Sequence, residues 1–218
     1  MTATRKANFL ASPLVHPTAL VEEGVQIGAA TSIWDGVHIH NHARIGAECI
    51  IGERTYIGPG VLIGNRVKIN AFAYICSSVT IEDGVMVSAG VIFTNDRYPR
   101  ATTPDLQKLH GSKACRNAVP TLVKEGATIG AGSRIGAGLI IGRFAMIGMG
   151  SVVTKSLPDF ALVVGSPACA VGYVCRCGQP LLRFKSGSAR RSTSLPCDDC
   201  QRSYDLRAGV LSEAIVEP

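Results

Sequence analysis

Four cysteines near the end of the chain, Cys175-x-Cys177-Gly178 and Cys197-x-x-Cys200, have spacings suited to metal chemistry. Two thiolates at short spacing can occupy two corners of a tetrahedral zinc site, and a second pair closes it. Gly178 permits a tight knuckle turn after the first pair, and the Ser-, Arg- and Gly-containing stretch 179–196 is expected to loop between the pairs. A closed four-thiolate site has no vacant coordination position, so its zinc stabilises rather than catalyses. The Cys-x-Cys spacing is unusual; Cys169 is a substitute ligand, and free thiols on a frayed tail are the competing reading. Cys49 and Cys76 read as packing residues, and Cys115 has no evident partner.

His38, His40 and His42 alternate, and would share one side of an extended segment if all three lay in a strand. That invites a metal reading, but the spacing does not by itself reproduce an open three-histidine site. Exposed surface imidazoles are the simpler reading for His40 and His42. Further on, Thr94-Asn95-Asp96-Arg97 opens a segment without regular pattern. An Asn amide both donates and accepts hydrogen bonds. Asp96 could hold an ammonium group, act as a weak base or cap the loop, and Asn-Asp is also ordinary turn chemistry.

The elements that must position these groups are written in a strict period. From Val15 an apolar residue returns every sixth position through Val21, Ile27 and Ile33 as far as Phe93, and the phase resumes from Val123 through Ile129, Ile135, Ile141 and Ile147 to Val153. Four residues after each stands something small or β-branched, such as Val37, Ala43, Cys49 and Thr55. A helix wants a repeat near 3.6 and a half-buried strand wants 2, so a period of 6 fits neither alone. It fits a coil of short parallel strands, with one strand and one corner per hexad and three hexads per coil. At about 4.8 Å per coil, six to seven coils make a prism about 30 Å long.

The period breaks between Thr94 and Leu122. So long an aperiodic connection is uncommon in a compact domain and tends to be functional. It holds Pro99, Pro104 and Pro120, five basic residues and His110, and is expected to project from the prism towards a neighbouring subunit. The expected division is a β-helix over 1–170, with its excursion at about 94–122, and a small unit over 171–218.

Composition bounds the rest. The 218 residues are 46% hydrophobic but only 6% aromatic, as a thin prism filled with Ile, Val and Ala requires. No apolar run reaches the length of a membrane span, and the chain reads as cytoplasmic. Residues 1–93 carry 6 basic and 7 acidic groups, whereas 94–218 carry 16 and 9, so the net charge of +6 belongs to the later part. That asymmetry suits polyanionic small molecules and would also attract nucleic acid. Arg183, Lys185, Arg190 and Arg191 are the weak candidates for the latter, but nucleic acid and membranes are not the expected partners.

The hexads resemble the left-handed parallel β-helix of the hexapeptide acyltransferase superfamily. Three separated stretches narrow the resemblance: Ile33-Trp34-Asp35-Gly36-Val37-His38-Ile39, Phe93 through Ala101, and Gly142 through Ala168 with Gly165-Ser166-Pro167. They are similar to the N-acetyltransferases that act on nucleotide-linked 3-amino-sugars for surface polysaccharides. The resemblance implies an all-β fold, a homotrimer with active sites between prisms, acetyl-CoA as co-substrate and a nucleotide-linked amino-sugar as acceptor. It implies Asn95 beside the reacting groups, with Asp96 as its catalytic neighbour; His38, Arg97 and Arg100 on the acceptor; and Gly130, Ala131, Gly148, Gly150, Ser151 and Lys155 along the cofactor. An alcohol acceptor needs a general base, whereas an amine retains a useful neutral fraction near neutrality. No His follows Thr94 until His110, which favours the amine; an O-acetyltransferase using His38 or His110, and a non-enzymatic scaffold with a zinc ribbon, are the alternatives.

Overall fold

The computed structural model describes residues 11–111, 118–184 and 193–214. Cys115, Lys185, Arg190 and Arg191 lie outside the described residues. The hexads wind as a three-faced parallel β-helix, and every element among the described residues is a strand. Partners across the ladder lie eighteen residues apart: Leu14 pairs with Ser32, Leu20 with His38 and Gln26 with Arg44. Three hexads therefore make one coil, as the period predicts.

Each strand is two or three residues long over most of the helix, with one side chain in and one out. The inward residues stack in columns: Ile33, Ile51 and Ile69 on the first face, Ile39, Ile57 and Ile75 on the second, Ile45, Ile63 and Ile81 on the third, all buried. Burying each contributes roughly 1.5–3 kcal/mol. The small residue four places on fills the corner, and where it is polar its hydroxyl is spent internally. Thr31 is fully buried; its Oγ1 donates to the Gly46 carbonyl at 2.8 Å and accepts the Cys49 N–H at 3.0 Å.

Glycine is required where one corner's backbone lies on the next. A Cβ at Gly46 would stand 2.5 Å from the Gly64 carbonyl oxygen.

The second face, which carries the site, consists of Leu20–Val21, His38–Ile39, Tyr56–Ile57, Tyr74–Ile75, Ile92–Phe93, Arg134–Ile135 and Val152–Val153. The chain leaves this face after Phe93 and returns on the third face at Thr121–Val123, so the excursion fills one corner. Its root is closed by the Val119 N–H on the Asn95 carbonyl at 2.9 Å. Its tip is a short antiparallel turn in which Thr102 bridges Leu109.

Beyond the last hexads, Ala161–Val164 continues the first face, and Cys169–Val174 and Pro180–Arg183 add to it antiparallel. The Ser166–Pro167 peptide between the first two is cis. Thr193–Pro196, Ser203–Arg207 and Val210–Glu213 form a separate three-stranded sheet. The strand Cys169–Val174 thus crosses the expected boundary at 170/171. A second core of Phe160, Tyr173, Cys175, Cys197, Tyr204, Leu206 and Leu211 joins the end of the β-helix to the terminal sheet.

Candidate functional site

A groove of about 1600 Å³ runs along the second face beneath the excursion. Asn95, Asp96 and Arg100 line it, with Lys108 and His110 from the excursion and Glu22, His40, Tyr56 and Tyr74 from the coils below. Asn95 starts the corner; its Nδ2 donates to Ser77 Oγ at 2.9 Å, one coil down. That bond fixes the amide, and among the described residues no hydrogen bond engages its side-chain oxygen, which can accept from a proton-bearing group. Asp96 Oδ1 accepts the Tyr98 N–H at 2.8 Å, an Asx turn that shapes the loop. Arg100 is exposed and donates to the Pro99 carbonyl. Arg97 points instead to the corner above, donating to the carbonyls of Ala137 and Gly138 at 3.3 Å each, and so ties the excursion to the β-helix.

The far end of the groove holds a cluster that the histidine spacing alone does not reveal. His38 Nε2 donates to Glu22 Oε1 at 2.8 Å, and His40 Nδ1 stands 3.0 Å from the same oxygen. Glu22 Oε2 accepts the Asn41 N–H at 3.0 Å. The His38 bond above all, helped by the Asn41 N–H, holds the Glu22 carboxyl below its ordinary range against the opposing effect of desolvation. The two imidazoles stack with centroids 4.0 Å apart, and Tyr56 and Tyr74 continue the ladder, themselves stacked at 4.4 Å. His40 is not the exposed surface imidazole its sequence suggests: its side chain is 22% exposed and its Nε2 is buried without a partner among the described residues. His42 leaves the group because the strand ends at Ile39; it turns the corner with φ +58° and lies against Gly24.

Gly130, Ala131, Gly148, Gly150 and Ser151 gather at one corner on two successive coils, where the Gly150 N–H donates to the Ala131 carbonyl at 2.8 Å. That corner joins the first and second faces, whereas Asn95 stands where the second meets the third. Gly130 and Gly148 are small because the next turn of chain packs on them: a Cβ would meet Met149 and Val164 respectively. Gly150 faces open space. Ser151 is fully buried, donating to the Gly148 carbonyl at 2.7 Å and accepting the Gly165 N–H at 3.2 Å, so this corner offers backbone groups to a ligand. Lys155 is exposed just beyond Val153, on the same edge of the second face as Asn95.

The four cysteines converge: Cys175, Cys177, Cys197 and Cys200 place their sulfurs within 4.8 Å of one another. Cys175 and Cys200 lie 3.3 Å apart and Cys177 and Cys197 3.6 Å, close to the edge of about 3.8 Å that a Zn–S bond of about 2.3 Å sets in a tetrahedron. Backbone N–H groups of Cys200 and Asp199 hold the Cys197 thiol down to about 7, while burial pushes Cys175 up to about 12. The Tyr204 hydroxyl accepts the Arg176 N–H at 2.9 Å and lies 3.1 Å from Cys175 Sγ. Four convergent thiols, several with amide donors, fit a closed zinc site. Arg176, between the first two cysteines, stacks on Phe144 at 4.6 Å and pairs with Glu125 at 3.5 Å, docking the knuckle on the last coils.

Ser77 and Glu22 are the neighbours of the candidate site residues that local motif reading misses. Both stand eighteen residues before a site residue, Asn95 and His40, and that offset is the signal by which they could be found.

Profiles of known families match the repeats. Bacterial transferase hexapeptide (six repeats) matches residues 30–65 and 60–95, and hexapeptide repeat of succinyl-transferase matches residues 120–155. The chain is 42% identical over 96 residues to a dTDP-3-amino-3,6-dideoxy-alpha-D-galactopyranose 3-N-acetyltransferase of Aneurinibacillus thermoaerophilus. That match covers 44% of this chain and 46% of the relative, so the chain spans just under half of the relative's length. Among solved structures it is similar to AntD, an N-acyltransferase from Bacillus cereus, with a TM-score of 0.49 and 18% identity over 76% of this chain and 84% of that one. The acetyltransferase domain of PglB from Neisseria gonorrhoeae FA1090 gives a TM-score of 0.47 and 18% identity over 75% and 59%. No helix among the described residues is long and apolar enough to cross a membrane. The repeats that build its three faces are thus similar, over residues 30–95 and 120–155, to the hexapeptide repeats of bacterial transferases.

Proposed function

We propose that this chain is an acetyl-CoA-dependent N-acetyltransferase acting on the amino group of a nucleotide-linked amino-sugar. The observation that carries the reading is the Asn95 amide, held by Ser77 at the head of a groove large enough for a nucleotide-sugar. The relative from Aneurinibacillus, with its amino-sugar in its name, supports the acceptor class.

In this reading Asn95 orients the amine or the thioester carbonyl, and the neutral amine attacks the carbonyl carbon. The C–S bond breaks and the leaving thiolate takes the proton the amine sheds. Most of the acceleration comes from holding the two reactants at attack distance. Arg100 and Lys108 are placed for the phosphates of the acceptor. Arg97 contributes by fixing the loop that carries them.

The glycine-rich corner and the Asn95 corner lie on opposite edges of the second face, so one copy does not bring them together. A homotrimer, in which one prism's glycine-rich corner faces the next prism's Asn95, supplies the missing half. Four thiolates carry a structural zinc in the unit 171–218, which needs a reducing compartment, and acetyl-CoA and nucleotide-sugars are cytoplasmic metabolites. The cytoplasm is the proposed location.

A second reading, transfer to a hydroxyl, has one observation in its favour. His110 lines the groove and its Nδ1 donates to the Arg100 carbonyl at 3.1 Å, leaving Nε2 as an acceptor. Mass spectrometry of products from acetyl-CoA with a panel of nucleotide-sugars, half with a free 3-amino group and half with hydroxyls only, separates the two. Acetylation confined to the amino-sugars is expected. Products from the hydroxyl-only half that vanish in His110→Gln would replace the N-acetyl reading with the second.

A further inference from the structure

We propose that Glu22, His38 and His40 form a second metal site, for a divalent transition ion, at the end of the groove away from Asn95. Two imidazoles and one carboxylate are a donor set that zinc, manganese, iron and cobalt accept. The three donor atoms already converge, all within 4.8 Å of one another. His38 Nε2 and His40 Nδ1 lie 2.8 and 3.0 Å from one carboxylate oxygen. With metal–ligand bonds of about 2.1 Å, a tetrahedral ion sets nitrogen–oxygen edges of about 3.4 Å. The carboxylate therefore retreats by only a few tenths of an ångström to admit it, and the stacked rings open slightly.

Neighbouring groups hold the carboxylate and both histidine backbones in place. The other oxygen of Glu22 is held by the Asn41 N–H, and the strand bonds of His38 to the Thr55 carbonyl and His40 to the Ile57 carbonyl fix both backbones. Three protein ligands leave coordination positions open, and Glu22, His40 and Asn41 line the groove, so those positions can face a bound molecule. This separates the site from the four cysteines, whose tetrahedron is complete.

The position also defines what the ion can do. His40 shares its column with Gly58, Cys76 and Thr94, three coils away, which is a rise of about 14 Å. An ion at His40 therefore does not touch the carbonyl that Asn95 serves. It is placed to take an anionic oxygen, carboxylate or phosphate, from the far end of an extended ligand. The site rests on ligand geometry alone and stands whether or not the chain transfers acetyl groups.

Metal analysis and native mass spectrometry of the full-length protein, dialysed against zinc and separately cobalt(II), test the inference. The wild-type chain is expected to hold one more equivalent than Glu22→Gln or His40→Gln, with the melting temperature in the absence of added metal matched between them. Cobalt at the second site should give a spectrum without thiolate charge transfer and quench emission from Tyr56, whose ring lies 4.7 Å from that of His40. Equal metal content in wild type and Glu22→Gln would overturn the inference and leave Glu22 as a hydrogen-bonding partner of the two imidazoles. Should the variants fail to fold, the wild-type chain decides: a cobalt spectrum made only of thiolate-bound ion overturns it.

Discussion

The side-chain amide of Asn95 donates to the hydroxyl of Ser77 at 2.9 Å, across one coil of the β-helix. A loop residue is thereby fixed by a rigid corner, as an orienting group requires. Asn95→Ala is expected to lower kcat by about 100- to 1000-fold, the cost of losing a positioned donor or acceptor at a reacting carbonyl. Ser77→Ala removes only the hydrogen bond that aims the amide, worth roughly 1 kcal/mol, and should lower turnover about five-fold. Acetylated product measured by mass gives both values. Equal losses in the two variants would show that Ser77 does more than aim Asn95.

Arg97 should matter to the excursion rather than to the fold. Its guanidinium holds the carbonyls of Ala137 and Gly138 from an exposed position. Arg97→Ala is expected to change global stability by no more than about 1 kcal/mol while making the chain several-fold more sensitive to protease cleavage between 98 and 111. Limited proteolysis followed by mass mapping reads this directly.

Gly126 has φ +67°, and a Cβ there would run into the ring of Phe144, which in turn carries Arg176 of the cysteine knuckle. Gly126→Ala should destabilise the end of the β-helix by roughly 1–3 kcal/mol through backbone strain and overpacking. Displacement of Phe144 should also loosen the terminal unit. A lower melting temperature together with faster zinc release to a chelator is the expected pair of results.

Removing the metal should unfold the terminal unit and spare the coils. Cys175 and Cys197 belong to the second core, with Tyr204 and Leu211, rather than to the prism. Chelation, or Cys197→Ser, is expected to expose 193–214 to proteolysis while the parallel strands keep their circular dichroism. Zinc binding requires thiolates, so affinity should already fall with pH above neutrality, because burial holds Cys175 up to about 12, and fall more steeply below about 7, the value to which the Cys200 and Asp199 amides hold Cys197.

Asp83 offers a pH test independent of any metal. Its carboxylate accepts the Asn65 N–H at 2.8 Å, a bond that, with the Asn65 side chain and Arg66, holds its carboxyl below the ordinary range. A depressed folded value contributes stability above the ordinary carboxylate range, and the contribution is lost as pH falls through the folded value. The melting temperature of Asp83→Asn should therefore lie below wild type at neutral pH and converge with it in acid. A constant gap across that range would assign the effect to shape rather than charge.

The six-residue period by itself determined the three faces, the identity of the inward columns and the corner from which the excursion leaves. A prism this thin has one register that buries Ile39, Ile57 and Ile75 together, and sliding the chain by one residue would expose them all. The sequence also marked the four cysteines as one candidate ligand set, because two short-spaced pairs of thiols can fill the four corners of a tetrahedral site. Coiling decided the rest. It turned a separation of eighteen residues into a contact of about 4.8 Å, placing Ser77 beneath Asn95 and Glu22 beneath His40. It ended the strand at Ile39, so that His42 rounds a corner and leaves the other two imidazoles to share Glu22. It also set the glycine-rich corner and Asn95 on opposite edges of one face. Partners chosen by stacking carry no local motif, because their spacing in the chain is the length of a coil rather than the pitch of a strand or a turn.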